Sequence, residues 1–317
     1  MLCFHGSLKI ECFYCFVTID SGLKFACFTL IYMSTDKRTT AAALQIARKA
    51  LVKQYEAGEA HVIADMLLSH ILDLDRLGLR MAMQQEMSKA EQETFERLLE
   101  DLKTGRPVQY VLGMADFYGL EFKVNEHTLI PRPETEELVE KVLNWVGERP
   151  LKLLEVGSGT GCIAISLKKY APNLDILSMD ISEAALKLAA ENAAMNNVAV
   201  QFISGDFLDE RVQSKLGDFD IIVSNPPYIV ASEAAFMENH VLSFEPHEAL
   251  FVTNNDPQQF YKAILNGAGL HKKVQAVFLE LNQNFASDTL AIYKDAGWET
   301  VLHKDLNDNF RILSAFR

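Results

Sequence analysis

The chain has 317 residues, 49% of them hydrophobic and 23% charged, enough apolar material for more than one core, so two domains are expected. A formal net charge of −13 argues against a protein whose main grip is on nucleic-acid phosphates. Of five cysteines, at 3, 12, 15, 27 and 162, four lie in the first 27 residues, which excludes a disulfide framework for the body of the chain and suits a reducing, cytoplasmic setting.

Residues 1–32 read unlike the rest, rich in Cys, Phe and Ile without a clean period. Lys9, Glu11, Asp20 and Lys24 interrupt the apolar run, so neither a signal peptide nor a membrane helix fits. Cys12 and Cys15 form a C-x2-C pair with no second pair to complete a zinc site, and no metal is expected. The stretch is expected to be a non-native or disordered extension, with Met33 as the natural start. Residues 33–105 carry helical periods. Leu44, Ala47, Leu51 and Tyr55 mark one face, Val62, Met66, Leu67, Leu68 and Ile71 a second, and Phe95, Leu98, Leu99 and Leu102 a third. A small bundle that positions a macromolecular substrate is expected here, ended by Gly105-Arg106-Pro107.

Two β-like runs follow within 106–128, Val108–Gly113 and Phe117–Val124, read as a hairpin linker. Residues 129–317 then form the expected catalytic domain. Leu129-Ile130-Pro131-Arg132-Pro133-Glu134-Thr135-Glu136 leads into a helix, with Pro133 suited to a first helical position and acids to the positive helix start. Arg132, between two prolines, is either a site residue or an ion-pair partner for that acidic turn. From Leu151 strands alternate with helices, the rhythm of a parallel doubly wound sheet. Strands are expected at Leu151–Val156, Leu174–Met179, Val198–Ile203, Phe219–Val223 and Val274–Leu281. Helices are expected at Cys162–Tyr170, Glu183–Met195, Pro257–Gly267 and Phe285–Ala296, with Trp298–Leu302 and Phe310–Phe316 as a terminal antiparallel hairpin.

The first of these strands runs into Gly157-Ser158-Gly159-Thr160-Gly161 and then a helix. Glycines there permit positive φ and let a ligand approach the backbone. An acid, Asp180, closes the next strand, where ribose hydroxyls are read. A dinucleotide fingerprint would want Gly or Ala at position 162, and this chain has Cys162. The pattern, with Glu155 just before it, better suits a cofactor that joins a nucleoside to an amino acid. After the third strand, Asp206 offers an acceptor for an exocyclic amine and Phe207 a ring to stack on a base. Both types are also common in ordinary loops.

The strand Phe219–Val223 is followed by Ser224-Asn225-Pro226-Pro227-Tyr228. Two prolines end a strand, donate no N–H and stiffen the chain at the sheet's carboxyl edge, where ligands bind in open α/β sheets. The wall so made offers the Asn225 carboxamide, unblocked carbonyls and the Tyr228 ring. That combination suits a planar group carrying an NH2, whose hydrogens are taken by acceptors while the ring covers its face.

Together, Glu155–Gly161, Asp180, Asp206–Phe207 and Asn225–Tyr228 resemble the class I S-adenosylmethionine-dependent methyltransferases. Adding Thr128–Glu136, Gly105-Arg106-Pro107 with Tyr110, and Phe244-Glu245-Pro246 with Ala249-Leu250, the chain from Met33 resembles the peptide-chain-release-factor N5-glutamine methyltransferases, the HemK or PrmC type. The resemblance implies a Rossmann-like, mostly parallel sheet with an antiparallel terminal hairpin and a small N-terminal helical domain. It implies S-adenosylmethionine as cofactor, held by Gly157, Ser158, Gly159, Thr160, Gly161, Asp180, Phe207 and Asn225. It implies release factors as protein partners, the glutamine of their Gly-Gly-Gln loop lying against Asn225, Pro226, Pro227 and Tyr228. Position 207 carries Phe where some relatives have Trp, and Leu281 follows Glu280 where a glycine often stands. A monomer that neither enters membranes nor grips nucleic acid is expected. The alternatives are a glutamine methyltransferase of a large-subunit ribosomal protein, a DNA or ribosomal-RNA amino-group methyltransferase, and a non-catalytic cofactor-binding scaffold.

Overall fold

The computed structural model describes residues 13–15, 26–28, 38–237, 239–253 and 255–317. The expectation for residues 1–32 therefore lies almost wholly outside the described residues. Only β1 (Phe13–Cys15) and β2 (Ala26–Phe28) fall among them, paired antiparallel. The chain divides into two compact units, residues 1–99 and 100–317.

The first unit holds α1 (Thr40–Leu51), α2 (Ala57–Leu72), α3 (Arg76–Met81) and most of α4 (Lys89–Leu102). Local chemistry sets where these helices begin. The Thr39 hydroxyl accepts from the Ala42 N–H and Asp75 accepts from that of Gly78. Before α4, Ser88 and Glu91 close a reciprocal capping box. Leu44, Ala47 and Leu51 of α1 are buried, as are Ile63, Ala64, Leu67 and Leu68 of α2. The inward face of α2 is thus turned from the one expected, since Val62 is 58% exposed. Apolar residues fall on more than one side of α2, which leaves its period ambiguous, and packing chooses the face. Arg48 pairs with Asp65 at 2.8 Å, tying α1 to α2.

In the second unit, α5 (Val108–Leu112) is a helical turn, correcting the expected first strand of the linker. Pro107 precedes its first turn with φ −51°, and Gly113 ends it in the left-handed region at φ +73°. The Pro107 carbonyl accepts from the Val111 N–H and closes a helical turn, and β-branched propensity yields to burial of Val108 and Tyr110. The hairpin is instead β3 (Met114–Phe117) with β4 (Leu120–Lys123), turned by Tyr118 and Gly119, both at positive φ. Asn192 holds it in place, accepting from the Lys123 N–H and donating to the Lys123 carbonyl.

After α6 (Pro133–Val146) come β5 (Lys152–Val156), α7 (Cys162–Tyr170), β6 (Asp175–Asp180), α8 (Glu183–Met195), β7 (Gln201–Ser204), α9 (Glu210–Gln213) and β8 (Ile221–Ser224). Next are β9 (Ile229–Val230), a 3-10 turn at Ala231–Phe236, α10 (Asn239–Phe244), α11 (His247–Leu250) and β10 (Phe251–Val252), the last parallel to β9. This excursion over 229–252 has no clear period in the sequence. The chain closes with α12 (Gln259–Leu270), β11 (Ala276–Glu280), α13 (Ala286–Asp295), β12 (Glu299–Lys304) and β13 (Phe310–Phe316).

Seven strands form one sheet in the order β12-β13-β11-β8-β5-β6-β7. The five from β11 to β7 run parallel, and β13 is antiparallel to both of its neighbours, as the terminal hairpin requires. Successive side chains point to opposite faces. Leu153, Ile221 and Phe278 accordingly pack with Leu138 and Val142 of α6 and Ile163 of α7. Leu154, Ile222 and Val277 pack on the other face with Ile264 of α12 and Tyr293 of α13. With both faces covered, the central strands are apolar apart from a few buried polar side chains such as Glu155, Ser178 and Ser224.

Candidate active site

The chain order reverses between β5 and β8: from β5 the sheet grows toward β6 and β7, and from β8 toward β11. Such a switch point leaves a crevice at the carboxyl ends of the two strands. Val156 and Ser224 are register partners there, and the Ser224 hydroxyl donates to the Val156 carbonyl at 2.6 Å. The glycine loop and the Asn-Pro-Pro-Tyr segment therefore leave the sheet side by side. A Cβ on Gly157 would stand 3.7 Å from the Asn225 carbonyl oxygen.

Gly157, Gly159 and Gly161 all have positive φ. At Gly161 a side chain is also excluded sterically, since a Cβ would lie 2.9 Å from Ile165 Cδ1 and 3.1 Å from Ala189 Cβ. The loop is fixed from below: Gly157 and Ser158 N–H groups donate to the Met179 carbonyl, and Asn192 donates to that of Thr160. Asp180 accepts from the Gly159 N–H at 2.8 Å and the Ser182 N–H at 2.9 Å, one on each carboxylate oxygen. Each oxygen keeps a lone pair for a hydroxyl. Asp206 accepts from the Leu208 N–H, and the Phe207 ring rests against Gly267. Gly157, Ser158, Gly159, Thr160, Asp180, Asp206 and Phe207 line a cleft of about 420 Å³ with Asn225, Pro226, Pro227, Thr135 and Arg132.

Glu155 does not line the cleft, which corrects its assignment to the cofactor-contacting set. It is fully buried beneath the loop, where it accepts from Ser178, and Ser178 in turn is bonded to Ser158 at 2.5 Å. Burial pushes its carboxyl up to about 8 against the opposing Ser178 hydrogen bond. The other residues expected from the sequence to contact a cofactor reach the cleft wall except Gly161, which closes the loop against Ile165 and Ala189.

A second cleft of about 400 Å³ lies on the other side of the Asn225-Pro226 wall, lined also by Tyr228, Ile229, Met237, His240 and Leu250. Leu129, Arg132, Asn225, Pro226 and Ala249 line both chambers. Arg132 pairs with buried Glu245 rather than with the acidic turn that follows it, and Glu245 also accepts from the Ile130 N–H. This pair joins the Ile-Pro-Arg-Pro and Phe-Glu-Pro segments across 113 residues. Tyr228 lines only the second chamber, and its hydroxyl donates to Glu280 at 3.2 Å. Glu280 is 1% exposed, and burial raises its carboxyl while Thr135, Arg311 and Tyr228 oppose that rise. Thr135 donates to the same carboxylate at 2.6 Å and accepts from the Asn225 carboxamide at 3.2 Å. Thr135 falls in the Thr128–Glu136 run and Glu280 at a position the sequence already singles out, but neither is assigned a role in the site from sequence. Thr135 reads as part of a helix start and Glu280 as the end of a strand.

Among the described residues no group of three or more His, Cys, Asp or Glu is placed to hold a metal ion. No described helix is long and apolar enough to cross a membrane.

A mostly parallel seven-stranded sheet, a glycine loop at its switch point and an Asn-Pro-Pro-Tyr wall beside that loop define a class I methyltransferase domain. Family models agree: residues 135–264 match the methyltransferase small domain and residues 42–113 the PrmC N-terminal domain. The release factor glutamine methyltransferase of Flavobacterium psychrophilum is 38% identical over 272 residues, 84% of this chain and 94% of that protein. That of Enterococcus faecalis is 38% identical over 243 residues, 76% and 87% respectively. The chain belongs to the release factor glutamine methyltransferase family. Among solved structures, the hMettl16 catalytic domain in complex with the MAT2A 3′UTR hairpin 6 shares the fold, with TM-score 0.51 and 15% identity over 63% of this chain and 76% of that one.

Proposed function

We propose that this enzyme transfers a methyl group from S-adenosylmethionine to the side-chain amide nitrogen, N5, of the glutamine in the Gly-Gly-Gln loop of peptide chain release factors. The observation that carries the reading is the shared wall: Asn225 and Pro226 face a glycine-loop cleft on one side and a second chamber on the other. With Leu129, Arg132 and Ala249 also bordering both, a group entering the second chamber lies beside the contents of the first.

The cleft's chemistry fits a nucleoside joined to an amino acid. Gly157 and Gly159 leave backbone open to a ligand, Asp180 has acceptor capacity for ribose hydroxyls, Asp206 for an exocyclic amine, and Phe207 presents a ring. S-adenosylmethionine supplies a methyl group already activated on a sulfonium. The protein's task is then positioning. A carboxamide nitrogen is a poor nucleophile because its lone pair is conjugated with the carbonyl. With the Asn225 side-chain oxygen and the Pro226 carbonyl accepting its two hydrogens, positive charge growing on that nitrogen is stabilised and the lone pair is aimed. As the new N–C bond forms the methyl–sulfur bond breaks, and one of those hydrogens leaves as a proton to water. Tyr228 covers the amide plane, and the two prolines keep the wall from relaxing. Arg132, held by Glu245, forms part of the substrate-side rim. Residues 33–105 position the release factor, and the enzyme acts as a cytoplasmic monomer.

The test is transfer of labelled methyl to a purified release factor, its Gly-Gly-Gln→Gly-Gly-Ala variant, a large-subunit ribosomal protein and unmethylated DNA. Label on the intact release factor alone is expected. Label only on the ribosomal protein or the DNA would move the substrate, and binding of S-adenosylmethionine without transfer to any acceptor would favour a scaffold. In the same assay Asn225→Ala should lower kcat roughly 100-fold with little change in cofactor affinity, and equal turnover would overturn its role.

A further inference from the structure

The wall works only if the Asn225 carboxamide faces the right way. Turned by 180°, it would present its NH2 to the substrate's NH2, donor against donor. Nothing in the Asn-Pro-Pro-Tyr segment itself decides between the two orientations, because oxygen and NH2 have nearly the same shape.

We infer that Thr135 and Glu280 are positioning residues that fix the orientation of the Asn225 carboxamide, and so its power to accept from the substrate amide. The inference rests on the function proposed above and extends it to two residues outside the motif. The Thr135 hydroxyl donates to Glu280 Oε2 at 2.6 Å and the Tyr228 hydroxyl to Oε1 at 3.2 Å, the arrangement of an ionised carboxylate, which the neighbouring Arg311 charge favours against burial. A threonine hydroxyl has one hydrogen. With that hydrogen committed to Glu280, Thr135 can meet the Asn225 carboxamide at 3.2 Å only as an acceptor. Asn225 must therefore turn Nδ2 to Thr135, which leaves Oδ1 for the chamber wall. Direction passes from an anion at the end of β11, through the first turn of α6, to the loop after β8. Thr135 is 2% exposed and Glu280 1%, so water does not compete for these bonds. The same carboxylate anchors the Tyr228 ring, so one buried charge sets both the acceptor and the stacking face.

The experiment compares Thr135→Val and Thr135→Ser with the wild type in the full-length protein. Valine keeps the shape and removes the hydroxyl, whereas serine restores it. Thr135→Val is expected to lower kcat for the release factor roughly 100-fold while KM and S-adenosylhomocysteine affinity stay within about threefold, and Thr135→Ser to recover kcat to within about threefold of wild type. A second readout needs no substrate. The Asn225 side-chain NH2 resonances, assigned by their loss in Asn225→Asp, should show slow hydrogen exchange in the wild type and in Thr135→Ser, and fast exchange in Thr135→Val. Wild-type kcat in the valine variant, or a serine variant as slow as the valine one, would overturn the inference. So would Asn225 NH2 exchange that is the same in all three proteins. If wild-type protein methylates no release factor, the proposed function falls, and the Asn225 resonances still decide the orienting role.

Discussion

Replacing Glu155 by Gln should stabilise the protein far more at pH 8 than at pH 5. The native carboxyl is buried completely and is raised to about 8 from an ordinary 4.5, burial being the main cause, with the Asp180 charge adding to it. Between those two values the unfolded chain releases the proton while the native protein keeps it. The unfolded state then binds fewer protons, so stability falls as pH rises through this window and levels off above the native value. At 1.36 kcal/mol per pKa unit, the interval corresponds to about 5 kcal/mol in full, with about 1 kcal/mol already lost at pH 5 and about 4 kcal/mol at pH 8. Glutamine stays neutral throughout and can still accept from Ser178. Its NH2 would occupy the place of Glu155 Oε1, where the hydroxyl of the protonated carboxyl also stands, so the two neutral groups meet the same surroundings. The difference between variant and wild type should therefore be small at pH 5 and reach several kcal/mol at pH 8, a shift in Tm of roughly 10 °C for a unit of this size. Thermal and urea unfolding of both proteins between pH 5 and pH 8.5 measure it, since groups common to both cancel in the difference. A stability difference that does not change with pH would refute the reasoning.

Two glycines give further tests. Gly161→Ala combines a left-handed φ of +80° with a Cβ at 2.9 Å from Ile165 and 3.1 Å from Ala189, and should cost about 2–3 kcal/mol in urea unfolding. Unchanged stability would mean that the loop relaxes freely. Gly267→Ala should separate affinity from stability. Its Cβ would fall 2.9 Å from Phe207 Cζ and displace the ring, weakening S-adenosylhomocysteine binding several-fold by calorimetry. The added helix propensity, up to about 1 kcal/mol, should hold Tm level or raise it. Weakened binding accompanied by a large loss of Tm would show a general packing defect instead.

The chemistry-bearing loops were legible from sequence because each depends on short-range rules. An apolar run broken by Gly-Ser-Gly-Thr-Gly, or by Asn-Pro-Pro, can hardly be anything but a strand ending at the edge of a sheet. Helices 162–170 and 183–195 likewise match their expected limits, since apolar period and capping residues are local. Where local signals conflicted, tertiary context decided. Val108–Leu112 has strand-like composition, yet Pro107, Gly113 and burial of Tyr110 make it helical. The stretch 229–252 has no period of its own and takes shape from β9 pairing with β10.

The sequence by itself determined the class of fold, the two loops at the switch point and the kind of group that each can hold. Only the tertiary structure decided that Glu155 lies under the glycine loop rather than in the cleft, and that Arg132 answers to Glu245. It alone brought Thr135 to Asn225 across 90 residues and to Glu280 across 145. Periodicity says which face of an element is buried, but not which residue of another strand or helix will stand opposite. Partners for buried charges are settled by sheet order and register, which come into being only when distant segments pack together.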